Sequence, residues 1–311
     1  MEILLYLLGG LTGLFLGGEG LIRGSSSLAI RVGISPLVVG LTIVAFGTSS
    51  PELLVSLKAA LIGSNSIALG NVVGSNIANI ALILGIAAII RPLQVHANVI
   101  KREIPIMIVV SLLLIFFLLD GKLEFIEGLI FIILLIAYTI VNILLSLKEN
   151  KEIEKEFEEG LKSKLNIPIA SVFIIVGLVL LFYGADFFLK GAIALAKLFD
   201  VSDAVIGLTV VAVGTSLPEL FTSIVATIKK ESDIAVGNAV GSNIFNILSI
   251  LGISAIIIPI SSAQISIFDF GVMLAAALIL LPLSYTGYRI SRLEGLLLVL
   301  GYIVYIFMLI K

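Results

Sequence analysis

Long runs without a charged residue restrict the fold of this chain more than any other feature. They cover residues 3–18, 59–90, 104–118, 165–185, 234–268, 270–288 and 295–310. Several reach the roughly 20 residues with which a helix spans the hydrocarbon core of a bilayer. They lack the alternation of polar and apolar residues, over about 10 positions, that strands of a membrane barrel show. We therefore predict an all-α integral membrane protein.

The composition agrees with this class. Hydrophobic residues make up 59% of the chain and charged residues only 13%, against roughly 25% charged residues in soluble domains. The sequence contains no cysteine, which excludes disulfides and thiolate metal sites. The lone histidine, His96, is predicted to be a solvated loop residue. The first hydrophobic helix has no basic leader or small-residue cleavage site, so we expect it to be retained.

The chain repeats itself at an offset of 167 residues. Segment 40–53, "GLTIVAFGTSSPEL", aligns with 207–220, "GLTVVAVGTSLPEL", and 70–80, "GNVVGSNIANI", aligns with 237–247, "GNAVGSNIFNI". Chance resemblance of two apolar helices would preserve hydrophobicity, not Asn, Ser, Pro and Glu in register. We predict two homologous halves, 1–147 and 167–311, joined by a charged connector at 148–166.

Each half contains five predicted spans. In order they are 3–19, 35–61, 66–90, 103–119, 126–147, 167–187, 202–228, 233–258, 267–285 and 293–310. Because five is odd, the second half enters the membrane opposite to the first. The predicted architecture is therefore ten transmembrane helices in two inverted five-helix repeats, with broken helices at a candidate ion site, as in many secondary transporters.

The distribution of basic residues predicts the orientation. With the connector in the cytoplasm, 14 of the 19 lysines and arginines face that side, and five face the other. Those five are Lys58, Lys122, Lys190, Lys197 and Lys311. We predict a multi-pass protein of the plasma membrane with a cytoplasmic connector and both termini outside.

Two glutamates lie in the middle of predicted spans. Glu52 and Glu219 are repeat partners, and neither has a lysine or arginine within a few residues. A charged side chain at mid-membrane costs roughly 2.5–3.5 kcal/mol on insertion scales, so it indicates a functional site. Two protonated acids packed between helices would be the purely structural interpretation. We favour a mobile cation as the missing positive charge.

A proline precedes each glutamate. Pro51 and Pro218 lack an N–H group and disrupt the preceding turn, which frees backbone carbonyls in a way that membrane proteins tolerate where the helix lines a cavity. Helical spacing then places three further candidate oxygen ligands on the face of each glutamate. They are Ala45, Thr48 and Ser49 with Glu52, and Ala212, Thr215 and Ser216 with Glu219.

The second repeated motif forms a polar stripe on each of two other apolar helices. The stripes contain Asn71, Ser75 and Asn79, and Asn238, Ser242 and Asn246, each recurring every four residues. They could face the glutamates as cation ligands or join helices by hydrogen bonds. The GxxxG pairs beside them predict close helix packing. Asn76 and Asn243 point away from the stripes and are interpreted as packing or capping groups.

All these candidate ligands are hard oxygen atoms. They suit Ca²⁺, Mg²⁺ or alkali cations and argue against copper and zinc. Two carboxylates balance the charge of one divalent ion, or of two monovalent ions. One site could thus hold either cargo in alternation, as an antiporter requires.

At these residues the sequence resembles the cation/calcium exchanger superfamily, in particular the prokaryotic sodium/calcium exchangers. The paired "GTSxPE" and "GNxxGSNI" motifs carry the resemblance, which extends over nearly the whole chain. It implies a calcium site at Glu52, Glu219 and the carbonyls of Thr48 and Thr215. It also implies flanking sodium sites, with ligands from Ser49, Ser75, Ser216, Ser242 and the carbonyls of Ala45 and Ala212, and with Asn79 and Asn246 beside them.

The resemblance further implies an antiporter rather than an enzyme, with no cofactor. Ca²⁺ and Na⁺ are the implied cargo and the lipid bilayer the surroundings; no nucleic acid is expected, and the sequence indicates no protein partner. Many exchangers pair an Asn with an Asp where this chain has Asn79 and Asn246. That departure leaves proton/calcium exchange as an alternative.

Two other functions remain open at this point, a passive cation channel and an intramembrane metallohydrolase. Inverted repeats with broken helices disfavour the channel, and the lack of an HExxH motif disfavours the hydrolase. Glu19 and Asp186, which are repeat partners, are interpreted as interfacial carboxylates, with a role in a gate as the alternative.

Overall fold

The computed structural model describes residues 2–61, 65–160, 165–198, 212–263 and 265–310. The helices of the first half are α1 (Glu2–Val32), α2 (Pro36–Thr48), α3 (Ser50–Leu61), α4 (residues 65–90), α5 (Val99–Asp120) and α6 (Phe125–Gly160). Those of the second half are α7 (Ile167–Leu198), α8 (Ala212–Thr215), α9 (Leu217–Ile228), α10 (Ser232–Ile257), α11 (Ile267–Tyr285) and α12 (Arg292–Ile310). The prediction of an all-α membrane protein is confirmed.

Nine spans can be counted within these described ranges. Eight helices are long and apolar enough to cross a bilayer, and α2 with α3 forms a ninth, bent span. The predicted seventh span, 202–228, lies partly outside the described residues, and its described part consists of α8 and α9. The predicted count of ten therefore stays a prediction, as do the limits of the halves at 147 and 167.

Three helices are longer than the charge pattern predicted. Helix α7, with a predicted end at residue 187, continues to Leu198. Helix α1 does not end at Glu19 but continues to Val32, before Gly33, whose φ of +72° leaves the helical region. Helix α6 continues past residue 147 to Gly160. Charged residues end a hydrophobic span but do not end a helix, because Glu, Lys and Arg are good helix formers.

Helices α4 and α10 are the centre of the bundle. In their most apolar windows 72% and 83% of residues are buried, whereas none of the other straight spans in the described ranges exceeds 39%. Both are interrupted by a π-helical turn, Asn79–Leu84 in α4 and Asn246–Leu251 in α10. Such turns are frequent at functional sites, and here each begins at a predicted ligand position.

Helices α1 and α7 are repeat partners that pack against each other along glycines. A Cβ on Gly17 would lie 2.7 Å from the backbone nitrogen of Leu181, and one on Gly184 would lie 2.7 Å from that of Leu14. Backbone atoms cannot move aside as flexible side chains can. The glycines are therefore required for the close approach of the two helices.

Two short antiparallel strand pairs join the halves. β1 (Leu93–Gln94) pairs with β4 (Arg289–Ile290), and β2 (Lys122–Leu123) pairs with β3 (Ile260–Ser261). The offset of 167 residues converts one pair into the other. The two pairs are therefore related by the same internal symmetry as the helices.

We predict that Gly17→Ala destabilises the protein and that Gly9→Ala does not. Both glycines lie in α1, so both substitutions gain about 1 kcal/mol of helix propensity. A Cβ on Gly9 meets only Phe187 at 3.9 Å, an ordinary contact, whereas overpacking at Gly17 costs about 1–3 kcal/mol. Thermal unfolding in detergent, followed by circular dichroism, measures the difference. Equal midpoints for the two variants would contradict the proposed role of the glycines in helix packing.

Candidate cation site

The two repeated "GTSxPE" motifs break their helices at equivalent serines. Helices α2 and α3 meet at Ser49 with a bend of 45°, and Ser49 has φ −79° and ψ 2°. Ser216, between α8 and α9, has φ −89° and ψ 9°. Pro51 and Pro218 follow as the second residues of α3 and α9, where the missing N–H costs no helical hydrogen bond. Each glutamate therefore lies in the first turn after a break.

Both glutamates are buried, and each is bound by a serine of the other half. Ser216 Oγ donates to Glu52 Oε1 at 3.0 Å, and Ser49 Oγ donates to Glu219 Oε1 at 3.0 Å. Each glutamate is 1% exposed. The second oxygen, Oε2, has no hydrogen-bond partner among the described residues in either glutamate. Each half thus completes the carboxylate site of the other.

No basic side chain of the described segments neutralises these carboxylates. Three cations near other acidic groups are paired with them: Arg102 with Glu103 at 2.6 Å, Lys190 with Asp186 at 2.7 Å and Lys229 with Glu19 at 2.5 Å. Burying an ionised carboxylate costs several kcal/mol unless it is paired. Two unpaired carboxylates in one buried site therefore favour the binding of a cation.

Two asparagines of the polar stripes connect the broken helices across the halves. Asn238 accepts a hydrogen bond from Thr48 Oγ1 at 3.1 Å. Its Nδ2 donates to the Glu219 carbonyl at 3.3 Å and to Ser223 Oγ at 3.1 Å. Repeat-related contacts join Asn71 to Thr215 Oγ1 at 3.5 Å, to the Glu52 carbonyl at 3.3 Å and to Ser56 Oγ at 2.9 Å. These asparagines hold the threonines and the glutamate backbone in place.

The other stripe residues lie on the same buried faces. Ser75 Oγ is 3.3 Å from Ser216 Oγ and so reaches the Glu52 carboxylate through that serine. Ser242 Oγ and the Oδ1 atoms of Asn79 and Asn246 are buried and have no partner among the described residues. The stripes therefore have two roles. Some of their side chains form hydrogen bonds between helices, as the alternative interpretation predicted, and others leave oxygen atoms without a partner among the described residues.

The two alanine positions, Ala45 and Ala212, each lie four residues before the serine at the break. The Ala45 carbonyl accepts hydrogen bonds from Ser49 N at 3.0 Å and from Thr48 Oγ1 at 3.4 Å, so the break leaves it with protein donors. Ala212 is the repeat partner of Ala45 and the first residue described after the gap at 199–211. A cavity of about 210 Å³ lies beside the break in the first half, lined mainly by apolar residues of α7 together with Gly47, Thr48 and Pro51.

Sequence reasoning underestimated Asn76 and Asn243. Each donates its amide N–H to the backbone carbonyl of the other, at 3.2 Å and 3.1 Å, so they meet at the interface between α4 and α10. They also accept hydrogen bonds from Asn79 and Asn246. Identical residues at repeat-related positions were the available signal, since such residues meet when they lie near a two-fold axis.

A second polar group that the sequence did not reveal lies at one end of α5. Glu103 is fully buried, paired with Arg102, and accepts a hydrogen bond from Tyr138 Oη at 2.7 Å. Arg102 also donates to Asn142 Oδ1 at 2.8 Å. Because Arg102 neutralises Glu103, this cluster needs no bound cation, and we do not assign it to the candidate site.

Glu19 and Asp186 also lie outside the site. Glu19 pairs with Lys229, at the end of α9, and Asp186 pairs with Lys190 one turn further along α7. Their side chains are partly exposed, at 38% and 43%. Both carboxylates therefore have a cation and lack the buried, unpaired character of Glu52 and Glu219.

The family model, the sequence relatives and the solved structures that this chain resembles all indicate the same family. A family model described as "Sodium/calcium exchanger protein" matches residues 2–144 and 169–311, one match in each half. The Sodium/calcium exchanger MaX1 of Methanosarcina acetivorans is 36% identical over an alignment of 350 positions, gaps included, which covers 98% of this chain and 97% of that protein. The Inner membrane protein YrbG of Escherichia coli K12 is 37% identical over 295 residues, covering 93% and 91%.

Solved structures agree with the sequence relatives. A structure of the sodium-calcium exchanger NCX_Mj superimposes with a TM-score of 0.85 at 32% identity, covering 98% of this chain and 99% of that one. The resemblance indicated by the paired motifs is confirmed, and the family consists of exchangers rather than enzymes. The chain therefore belongs to the sodium/calcium exchanger family of multi-pass membrane proteins, which exchange Ca²⁺ for other cations by antiport.

Proposed function

We propose that this protein exports Ca²⁺ from the cytoplasm in exchange for Na⁺ by alternating access. One observation carries the proposal: two buried glutamates, one from each half, share a site in which no described basic residue neutralises them. A cage with two negative charges matches one Ca²⁺ or two Na⁺ ions. The same carboxylates can therefore serve both cargoes in turn.

We assign the ligands by charge and by oxygen type. Ca²⁺ accepts irregular cages of carboxylates and carbonyls, which Glu52 and Glu219 and the carbonyls of Thr48 and Thr215 supply. Na⁺ is assigned to the flanking oxygens, which are hydroxyl, amide and carbonyl groups. These belong to Ser49, Ser75, Ser216, Ser242, Asn79, Asn246 and the carbonyls of Ala45 and Ala212.

Coupling depends on the free energy that it costs to leave the two buried carboxylates without a bound cation. Two unneutralised carboxylates cannot be carried cheaply through a low-dielectric bundle, so rearrangement is favoured only when cations are bound. A bound ion shifts a conformational equilibrium by its difference in affinity for the two states. Because Ca²⁺ and Na⁺ would compete for the same carboxylates, one must leave before the other binds, which gives exchange.

Sodium as the counter-ion is supported by the relatives, since MaX1 and NCX_Mj are both named as sodium and calcium exchangers. Export follows for a cell in which the Na⁺ gradient points inward. We place the protein in the plasma membrane, with the 148–166 connector in the cytoplasm and both termini outside, on the basis of the lysine and arginine distribution.

We predict that Glu52→Gln or Glu219→Gln lowers Ca²⁺ affinity by roughly 100-fold or more and abolishes exchange. Two unit charges about 4 Å apart interact by about 4 kcal/mol at an effective dielectric constant of 20, so loss of one carboxylate from a divalent ion costs at least that much, and each 1.4 kcal/mol is a factor of ten. Calcium uptake into proteoliposomes measures the effect. Glu124→Gln, the same change at an exposed position between β2 and α6, should transport normally. Wild-type uptake by either buried variant would remove the assignment.

We predict that a sodium gradient alone drives calcium uptake. Proteoliposomes loaded with Na⁺ and diluted into Na⁺-free medium with Ca²⁺ should accumulate Ca²⁺ while an ionophore collapses any pH gradient. Vesicles loaded with choline are the matched control and should stay empty. Uptake that ignores Na⁺ and follows an imposed pH gradient would establish proton exchange instead. Calcium flux without any counter-ion would establish a channel.

The orientation can be tested because the chain has no cysteine. Lys122 and Arg289 are exposed repeat partners in β2 and β4, and inversion places them on opposite sides of the membrane. We predict that a membrane-impermeant maleimide labels Lys122→Cys in intact cells and labels Arg289→Cys only after permeabilisation. The reverse pattern would invert the topology, and labelling of both in intact cells would contradict inverted repeats.

A further inference from the structure

Four buried asparagines form an amide cluster where α4 crosses α10. Its members are Asn76 and Asn79 from α4 and Asn243 and Asn246 from α10, each at most 2% exposed. Asn76 Nδ2 donates to the backbone carbonyl of Asn243 at 3.2 Å, and Asn243 Nδ2 donates to that of Asn76 at 3.1 Å. The two inner amides, Asn76 and Asn243, thus clasp each other's helices.

This clasp fixes the orientation of the inner amides. A backbone carbonyl can only accept a hydrogen bond, so the nitrogen of each inner amide must face it. The opposite orientation would set two acceptor oxygens about 3 Å apart. The Oδ1 atoms of Asn76 and Asn243 are consequently directed away from the clasp, where they can only accept hydrogen bonds.

The inner amides in turn fix the outer ones. Asn79 Nδ2 donates to Asn243 Oδ1 at 2.9 Å, and Asn246 Nδ2 donates to Asn76 Oδ1 at 3.0 Å. With their nitrogens held this way, Asn79 and Asn246 expose their Oδ1 atoms, which are buried and unpartnered among the described residues. The backbone therefore determines, in two steps, which atom each outer amide leaves free.

The free oxygens lie on the face of the candidate site. Asn79 is one helical turn beyond Ser75, whose Oγ contacts Ser216, and Asn246 stands in the same relation to Ser242. Helix α9, which carries Glu219, packs against the π-helical turn that begins at Asn79. Helix α3, which carries Glu52, packs against the turn that begins at Asn246.

We propose that Asn76 and Asn243 are positioning residues that make the outer amides present oxygen, and not nitrogen, to the cations. This inference rests on the proposed function, because it assigns the wall of the same site. An amide oxygen attracts a cation, whereas the N–H₂ group repels it. Loss of Asn243 leaves Asn79 Nδ2 without its acceptor, and the amide then rotates to donate to a carboxylate or hydroxyl of the site.

Ion binding at equilibrium tests the proposal without requiring turnover. The thermal unfolding midpoint of the purified full-length protein in detergent is measured against NaCl at constant ionic strength, and separately against CaCl₂. For Asn243→Leu we expect the half-saturating Na⁺ concentration to rise about 10-fold, the lower end for loss of a group that orients a metal ligand. Asn243→Ala serves as a second variant if the leucine does not fold. Asn142→Leu, an equally buried asparagine outside the site, should leave ion binding unchanged.

A double-mutant cycle separates positioning from packing. Asn243 is hydrogen-bonded through Oδ1 to Asn79, whereas Asn246 donates to Asn76. Adding Asn243→Leu to Asn79→Ala should therefore change the half-saturating Na⁺ concentration less than about twofold. Adding it to Asn246→Ala should multiply the two separate effects. Asn76→Leu should show the opposite pairing.

Each outcome decides the proposal. It is overturned if Asn243→Leu binds Na⁺ within about twofold of the wild type, or if the effects multiply equally in both pairs, since that is the result of a packing role. The wild type tests the proposed function independently. If neither salt stabilises the protein, cation binding itself is refuted. If only CaCl₂ stabilises it, the sodium assignment is refuted, and the double-mutant cycle is then measured against CaCl₂.

Discussion

Two buried carboxylates that have no basic partner among the described residues are the constraint on which the rest of this structure depends. Glu52 and Glu219 each hold one serine hydroxyl and leave one oxygen without a partner among the described residues. Removing such groups from water costs several kcal/mol each, and their mutual repulsion adds to that cost. A site of this kind persists only if a positive charge binds there. Under the proposed function, the transported cation supplies this charge, so the cargo also stabilises the site.

The hydrogen bonds around the glutamates cross between the halves. The hydroxyls of Ser49 and Thr48 bind groups of the second half, and their repeat partners bind groups of the first half. Neither half can therefore complete its own carboxylate environment. A displacement of one half against the other must change both carboxylates at once, which suits a site that releases one ion and accepts another.

The sequence predicted the parts of the site that a single helix determines. The four-residue spacing identified the polar stripes, and the proline before each glutamate identified the breaks at Ser49 and Ser216. It could not predict contacts between helices distant in sequence. Asn76 and Asn243 lie off the stripe in their own helices, and only the crossing of α4 and α10 brings them together. The length of α1 was underestimated for a different reason: Glu19 ends the apolar run but does not end the helix, because Glu is a good helix former.

The internal symmetry is imperfect outside the candidate site, and the differences have a physical consequence. Tyr138 and Tyr305 are repeat partners, and each donates a hydrogen bond to a carboxylate, Tyr138 to Glu103 and Tyr305 to Asp269. Glu103 is also paired with Arg102. In the second half the position equivalent to Arg102 is occupied by Asp269 itself, so this arginine has no counterpart there. Likewise Glu19 pairs across the halves, while Asp186 pairs within its own helix. In an exchanger built from inverted repeats, perfect symmetry would make the inward-facing and outward-facing states equal in free energy. Any preference between them must therefore come from contacts that the repeats do not share, and these ion pairs are such contacts.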